Sequence, residues 1–450
     1  MRLPNPLASR SGRLAAFFAL YLTEGIPLGF TATAIATQMR RQGLGPAEIG
    51  AFVGSLYLPW AFKWMVGPLV DTFSSDRFGR RRLWIVLAQA CMVISLMMAL
   101  PVNFTTELKL FTILILIHNA FAATQDVAID ALAVNVLHED ERGLANGLMF
   151  GGAYLGQAVG GSGVLFLAPV IGFPNTYFFV AACILLVNVL IVLPMREPAG
   201  PPRPPREGPA LAGVLKELWT FAVDAYRAFI GTRAAWVGVI NALLPAGAFA
   251  LGLALQSNLA VELGLNDTQV GFLNLWSTVI SAIGCVAGGW ISDRFGRRRS
   301  LAVFIFGTTL PTFYLGWVMQ QHGWIMPVPV QQPGRLVPPQ ALVGVFWGMV
   351  MIYNVFQGLY YGARSALFMD ITTPRVAATQ FTAYMAMQNF VIAYSANWQG
   401  WLVERWGYPR TLLVDGLFGL VGLTLLPLMA PSKKSVPIPV GAAIPEAIEP

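Results

Sequence analysis

Asp126 and Asp130 stand four residues apart in Ala123-Thr124-Gln125-Asp126-Val127-Ala128-Ile129-Asp130, deep inside an apolar run. On a helix that spacing puts both carboxylates on one face. Two carboxylates close together in a low dielectric resist ionising together, so one of them holds a proton that it can give up or take back. His118 lies eight residues earlier, near the same face, and Gln125 is the neighbour of Asp126. We expect Asp126 to exchange a proton in the working cycle. Asp130 and Glu24 join it as proton-coupling candidates. In the alternative reading Asp130 is hydrated near the helix end and Asp126 acts without it.

Three more ionisable residues fall inside apolar runs. Glu24 sits in Leu22-Thr23-Glu24-Gly25-Ile26-Pro27, where glycine and proline should loosen the helix and free backbone groups to line a binding site. Lys63 sits in Leu58-Pro59-Trp60-Ala61-Phe62-Lys63-Trp64, eight residues before Asp71, or about 12 Å along a helix. It either snorkels towards the interface or faces a cavity as the partner of a carboxylate or an anionic solute. Arg364 follows Tyr360, Tyr361 and Gly362, a mixture of cation and aromatic rings that suits a sugar, peptide or carboxylate ligand, although tyrosines also anchor helices at interfaces. An ionised side chain at bilayer depth costs about 2.5–3.5 kcal/mol on insertion scales. Glu24, Lys63, His118, Gln125, Asp126, Tyr360, Tyr361 and Arg364 are therefore expected to line a wet central cavity.

That bilayer is inferred from composition. The chain has 450 residues, of which 56% are hydrophobic and 11% charged, and its mean hydropathy is +0.61. Soluble domains carry about 25% charged residues, so hydrocarbon is the expected solvent for much of this surface. Apolar runs of membrane-crossing length are expected near residues 14–39, 47–71, 83–101, 108–137, 143–170 and 174–195, and again near 233–262, 268–292, 300–320, 340–371, 376–403 and 409–430. The first run contains Glu24 and is longer than a signal-peptide core, so it is expected to be retained. The fold class is thus all-α integral membrane, with twelve transmembrane helices in two six-helix bundles. The expected domains are 1–195 and 233–430, joined by the proline-rich linker 196–232, whose 210–231 portion has the pattern of an amphipathic interfacial helix. A disordered tail follows at 431–450.

With both termini cytoplasmic, 21 of the 29 Lys and Arg residues fall in cytoplasmic segments and six in external loops, the sense of the positive-inside bias. The same bias explains the net charge of +7 without nucleic acid, for which no motif is present. Cys91, Cys183 and Cys285 each lie within an apolar run without ligand spacing. Neither they nor the scattered histidines form a metal pattern, and no cofactor is expected.

The heptapeptide Asp-Arg-Phe-Gly-Arg-Arg-Arg occurs at 76–82 and again at 293–299, each time after the second helix of its six-helix set. The offset of 217 residues marks two homologous halves. Parallel six-helix repeats are the arrangement of major facilitator transporters. The second copy, Gly289-x-x-x-Asp293-Arg294-Phe295-Gly296-Arg297, resembles the cytoplasmic gate motif of that superfamily. In the first copy, Gly67-x-x-x-Asp71 is followed by an insertion before Asp76, Arg77, Gly79 and Arg80. The spacing from Gly67 favours Asp71 as the gate acid. Glycines at four-residue spacing, Gly147 and Gly151 and then Gly152, Gly156 and Gly160, with Gly284 and Gly288 in the eighth helix, allow close backbone approach. In the superfamily these helices border the other half, so the glycines are expected to offer smooth rocking surfaces, or else static packing.

Several segments are similar to the AmpG-type muropeptide permeases and the related acetyl-coenzyme A transporters. They are Tyr21 to Gly29, Leu58 to Trp64 with Gly67-Pro68-Leu69-Val70-Asp71, Ala123 to Asp130 followed by Glu141-Arg142-Gly143, and Ala378-Thr379-Gln380-Phe381. The resemblance implies proton-driven inward movement of a bulky polar solute such as anhydro-muropeptides across a bacterial inner membrane. Siderophores and acyl-coenzyme A are alternative cargoes within the same resemblance. An enzyme is not expected, since no HExxH, G-x-S-x-G or P-loop pattern occurs and His138 and His322 lack evident catalytic partners. A non-transporting sensor would not need Glu24, Lys63 and Asp126 at membrane depth.

Overall fold

A computed structural model describes residues 4–72, 78–138, 142–198, 210–329, 337–371 and 377–429. The expected tail at 431–450 and the proline-rich part of the linker lie outside them. The described residues contain helices and turns but no strand ladder. Six helices build the first half: α1 (Arg10–Arg41), α2 (46–72), α3 (Arg82–Ala99), α4 (Leu108–Val136), α5 (142–171) and α6 (Phe173–Val192). The connecting helix α7 (Ala210–Ile230) leads into the second half. That half comprises α8 (233–262), α9 (Asp267–Phe295), α10 (Arg297–Gln321), α11 (Gln340–Ile371), α12 (377–406) and α13 (408–428).

Among the described residues nine helical stretches are individually long and apolar enough to cross a membrane. One of them, Gln380–Leu428, is two helices meeting at Gly407, whose φ of 79° reverses the chain. Helices α2 and α8 also span the fold but are interrupted, which restores the expected twelve. The two ends of the described residues lie on one face: Asn5 bonds to Arg196 beyond the end of α6, and Arg298 donates to the carbonyl of Pro427 in α13. We call this the terminal face.

The interruptions are not where the sequence pointed. Helix α1 runs through Glu24-Gly25-Ile26-Pro27 unbroken and absorbs the proline with a wider π-turn at Phe30–Ile35. Thr31 hydroxyl donates to the carbonyl of Pro27, and Gly25 and Gly29 lie against the backbone of α5 at Ala153 and Gln157. One missing amide is a smaller loss than that packing, so the helix stays whole. Helix α2 does break: Pro46–Leu56 is followed by a turn at Tyr57, a short helix Leu58–Ala61 and a 3-10 turn Lys63–Met65. Pro59 supplies no amide to the preceding turn, and Lys63 is placed at the break. Helix α8 stops at Ala242 and resumes at Ala254–Glu262, with Gly247 at φ 90° between.

The glycine stripes pack within each half. Gly152, Gly156 and Gly160 of α5 lie on the backbone of Phe18, Leu22 and Ile26 in α1, and Gly284 and Gly288 of α9 lie on Val355 and Leu359 of α11. Of the two readings of these stripes, the contacts favour static packing: they join helices within each bundle. A Cβ at Gly156 would overlap the Leu22 carbonyl region. Overpacking a tight core by a branched side chain costs about 1–3 kcal/mol or more. Gly156→Val is thus expected to lower the thermal midpoint of the detergent-extracted protein clearly, while Gly151→Val, with nothing within 4 Å of its Cβ position, leaves it unchanged in the same melt.

Candidate transport site

Helices α1, α2 and α4 bring three predicted residues to one point. Lys63 Nζ donates to Asp126 Oδ2 at 2.6 Å. Glu24 lies within hydrogen-bonding reach of Asp126 and in the field of Lys63 and Asp130. Yet the buried Glu24 Oε2 has no donor among the described residues. Two carboxylates share the field of one lysine, and a direct bond between them requires a proton on one. Asp130, one turn along α4, accepts from Tyr21 hydroxyl at 2.6 Å and is exposed, whereas Asp126 is buried. The i, i+4 face thus runs from the buried Asp126 to the exposed Asp130. Tyr21 was not singled out by sequence reasoning, although it sits one turn before Glu24 on the same helix.

His118 and Gln125 do not join this cluster. His118 Nδ1 donates to the Met92 carbonyl of α3 at 2.8 Å, and the ring is fully buried. Gln125 donates to Thr23 hydroxyl at 3.2 Å, which also receives Gln89 at 3.1 Å and itself donates to the Leu20 carbonyl at 2.6 Å. One residue along a helix is a rotation of 100°, enough to turn Gln125 from the acids into the interior of the first bundle. The expectation that either lines the cavity is corrected.

Arg364 is corrected in the same way. It is 1% exposed and braces the break in α8: its Nη2 donates to the carbonyls of Asn241 at 2.7 Å and Leu244 at 3.4 Å, and its Nη1 to Tyr360 hydroxyl at 3.0 Å. Tyr360 is buried with it. Asp415 of α13 braces the other side. Its Oδ2 accepts from the amides of Phe249 and Ala250, both at 2.9 Å, and its Oδ1 from Gln399 at 2.6 Å. Thr308 and Tyr353 bond the amide and the carbonyl of Ala248. Non-helical backbone at membrane depth survives only when such groups are satisfied. Asp415 is an intramembrane charge, and the rule that found Asp126 applies to it equally. Of the tyrosine pair, Tyr361 is half-buried and faces the first half, within electrostatic range of Lys63 and Tyr154. Arg364→Ala orphans two buried carbonyls at about 1–3 kcal/mol each. A fall in thermal midpoint is expected, with little rescue by Arg364→Lys, whose point charge cannot span the fork's partners.

The two halves meet tightly on the face opposite the termini. Arg40 at the end of α1 pairs with Glu262 at the end of α8, both buried. Glu262 also accepts from Tyr408 hydroxyl at 2.6 Å and from the Val328 amide at 3.2 Å. Arg41 pairs with Asp267 at 2.5 Å, and Thr33 and Ser162 meet Asn274 of α9 just below. Gly50 and Gly54 of α2 lie against Ala396 and Ala393 of α12. Residues 58–65 of α2 still run beside α12, while nearer the terminal face a Cβ at Gly67 or Gly289 would meet nothing within 4 Å. Among the described residues, the clasp of ion pairs between the halves lies on this far face.

A family model of the Major Facilitator Superfamily matches residues 14–396 and, in a second match, 242–441. The chain belongs to the major facilitator superfamily. It is 25% identical to the anhydromuropeptide permease of Escherichia coli (strain K12) over 92% of this chain and 79% of that one. A putative transporter AmpG 4 of Rickettsia conorii is 24% identical over 74% of this chain and 81% of its own length. Among solved structures, a D-xylose–proton symporter superposes with a TM-score of 0.67 at 14% identity, covering 92% of this chain and 96% of that chain, which supports the fold. The protein is therefore a multi-pass membrane transporter of this superfamily, similar to AmpG-type permeases, and not an enzyme.

In this superfamily member the glycine of each heptapeptide copy adopts a positive φ. Gly79 has φ 90° and Gly296 φ 92°, a region open chiefly to glycine. In the second copy Arg297 binds Asp293 at 3.1 Å and reaches α11 at Asp370, 2.6 Å, and at the Ala366 carbonyl, 2.7 Å. Arg294 lies over the Trp290 ring. In the first copy Arg80 follows Gly79 in the turn, and Glu197, which sequence reasoning passed over, accepts from the amides of Arg81 at 2.9 Å and Arg82. The side chains of Asp71, Asp76 and Arg77 lie outside the described residues, so the preference for Asp71 remains an expectation.

Proposed function

We propose that this protein imports a bulky polar solute of the anhydromuropeptide class together with protons, by alternating access across a bacterial inner membrane, with both termini on the cytoplasmic side. The observation that carries the reading is the Glu24–Lys63–Asp126 cluster: a buried Lys63–Asp126 ion pair with Glu24 beside it, and Asp130 exposed one turn along α4. A proton on the acid pair balances the lysine without a second cation. Its release frees an acid to compete for Lys63, which changes how α1, α2 and α4 hold together. The cargo class is supported by the likeness, over nearly the whole chain, to an anhydromuropeptide permease. Tyr361, from the second half, faces the cluster with an aromatic hydroxyl suited to sugars and peptides.

The test is uptake of labelled anhydro-muropeptide by cells lacking their own permease, with and without a protonophore. Uptake abolished by the protonophore is the expected result. Absence of uptake rejects the cargo, and uptake indifferent to the protonophore rejects the coupling. Uptake of an iron–siderophore in the same cells would replace the cargo and leave the coupling reading in place.

A further inference from the structure

The connecting helix α7 presents two parallel stripes. Leu215, Trp219, Tyr226 and Ile230 are exposed by 58%, 73%, 66% and 53%, and their spacings of four, seven and four residues stack them on one side. Lys216, Thr220 and Arg227 are also exposed, each one residue later and so turned by about 100°. A third side is taken by protein: Phe229 is buried and meets the Tyr384 ring of α12 edge-on at 5.3 Å. The helix also passes within 8 Å, between Cα atoms, of residues 67–72 at the end of α2. It therefore touches both halves on the terminal face.

What covers the apolar stripe follows from its continuity with a surface already assigned to lipid. Gly231 and Thr232 turn the chain directly into α8, with Thr232 capping the Ala235 amide at 3.1 Å. One turn on, Trp236 is 52% and Ile240 38% exposed, on a helix that crosses the bilayer. A helix with apolar, polar and protein-facing sides in that order fits the bilayer margin. We propose that α7 is a lipid-seated strap: Leu215, Trp219, Tyr226 and Ile230 sit in the apolar edge of the leaflet on the terminal face and hold the helix across the ends of α2 and α12. Its charges, Lys216 and Arg227 against Glu217 and Asp224, balance, so the occupant is the hydrocarbon margin of the bilayer and not an anionic headgroup cluster. Opening or closing the terminal face changes the gap that α7 bridges, and the helix moves along the lipid surface as it does so.

The experiment uses the full chain with Cys91, Cys183 and Cys285 replaced by serine and single spin labels along α7, reconstituted in phosphatidylcholine bilayers. Collision with oxygen reports lipid, and collision with a water-soluble nickel chelate reports solvent. Labels at 215, 219, 226 and 230 are expected to favour oxygen, and labels at 216, 220 and 227 the chelate, with the same pattern when phosphatidylglycerol is added. Chelate access along both stripes would overturn the proposal, because the helix would then lie in water. Protection of the apolar stripe from both reagents would also overturn it, because protein or a second copy would then be the cover. In a Leu215→Ser/Trp219→Ser background the label at 226 is expected to gain chelate access severalfold. An unchanged label at 226 would show that the stripe does not hold the helix down.

Discussion

Asp126→Asn is expected to abolish concentrative, protonophore-sensitive uptake, a fall of at least about 100-fold, as for removal of a general acid–base group, while the protein still reaches the membrane. Asparagine keeps the shape and a hydrogen-bond acceptor for Lys63, so the contact at 2.6 Å has a substitute. The exchangeable proton has none. Solute exchange down its own gradient, measured with preloaded vesicles, should survive, since nothing in that half-cycle requires net proton release. Lys63→Ala is expected to do something different. Asp126 is 3% exposed, and removing one partner of a buried pair costs about 3–5 kcal/mol. That variant should therefore lose thermal stability as well as uptake. Lys63→Ala/Asp126→Ala removes both charges and should recover stability without recovering accumulation. Full pH-driven uptake by Asp126→Asn would remove the proton role from this residue.

The second large effect lies at the far face. Arg40 and Glu262 are 3% and 0% exposed, and their contact joins the two halves on that face. Arg40→Ala takes the guanidinium from Glu262, which keeps the Tyr408 hydroxyl and the Val328 amide among its donors. Opening the face hydrates that carboxylate. At about 3–5 kcal/mol for breaking a buried ion pair, the population should shift towards the far-face-open state by roughly 200- to 5,000-fold. A cysteine at Thr33, just beneath the clasp and 3.4 Å from Asn274, reads this directly: its modification by a membrane-impermeant thiol reagent added on the far face should accelerate in Arg40→Ala and in Glu262→Gln. Neutralising both partners, in Arg40→Ala/Glu262→Ala, should shift the balance less than the sum of the single variants, because no charge is left stranded. Equal labelling in all of them would mean that the clasp does not hold the face shut. The Arg41–Asp267 pair, partly exposed at 27% and 20%, is expected to contribute less for the usual reason that water competes for it.

Both effects rest on pairs of residues that were visible in the chain to different degrees. Glu24, Lys63 and Asp126 announce themselves because charge at bilayer depth is costly wherever it occurs, and the three lie at matching depth in neighbouring helices. Asp415 obeys the same rule, but its use differs: it ends on the amides of an interrupted helix, and that interruption has only Pro245 and two glycines, Gly247 and Gly252, to mark it. Arg40 and Glu262 look like ordinary helix-end charges, and their meeting across 222 residues has no local signature.

The sequence by itself determined the solvent, the twelve crossings and the twofold repeat, and it singled out the charges at bilayer depth. Each of these follows from burial cost or from periodicity along one helix. Only the tertiary structure decided which way each polar side chain turns. It sent Gln125 and His118 into the first bundle, tied Arg364 to backbone carbonyls, and folded the glycine stripes inward instead of between the halves. It also decided which face carries the clasp between the halves. The reason is geometric: 100° of rotation separates adjacent residues on a helix, and the neighbour that each direction meets is supplied by a helix far away in the chain.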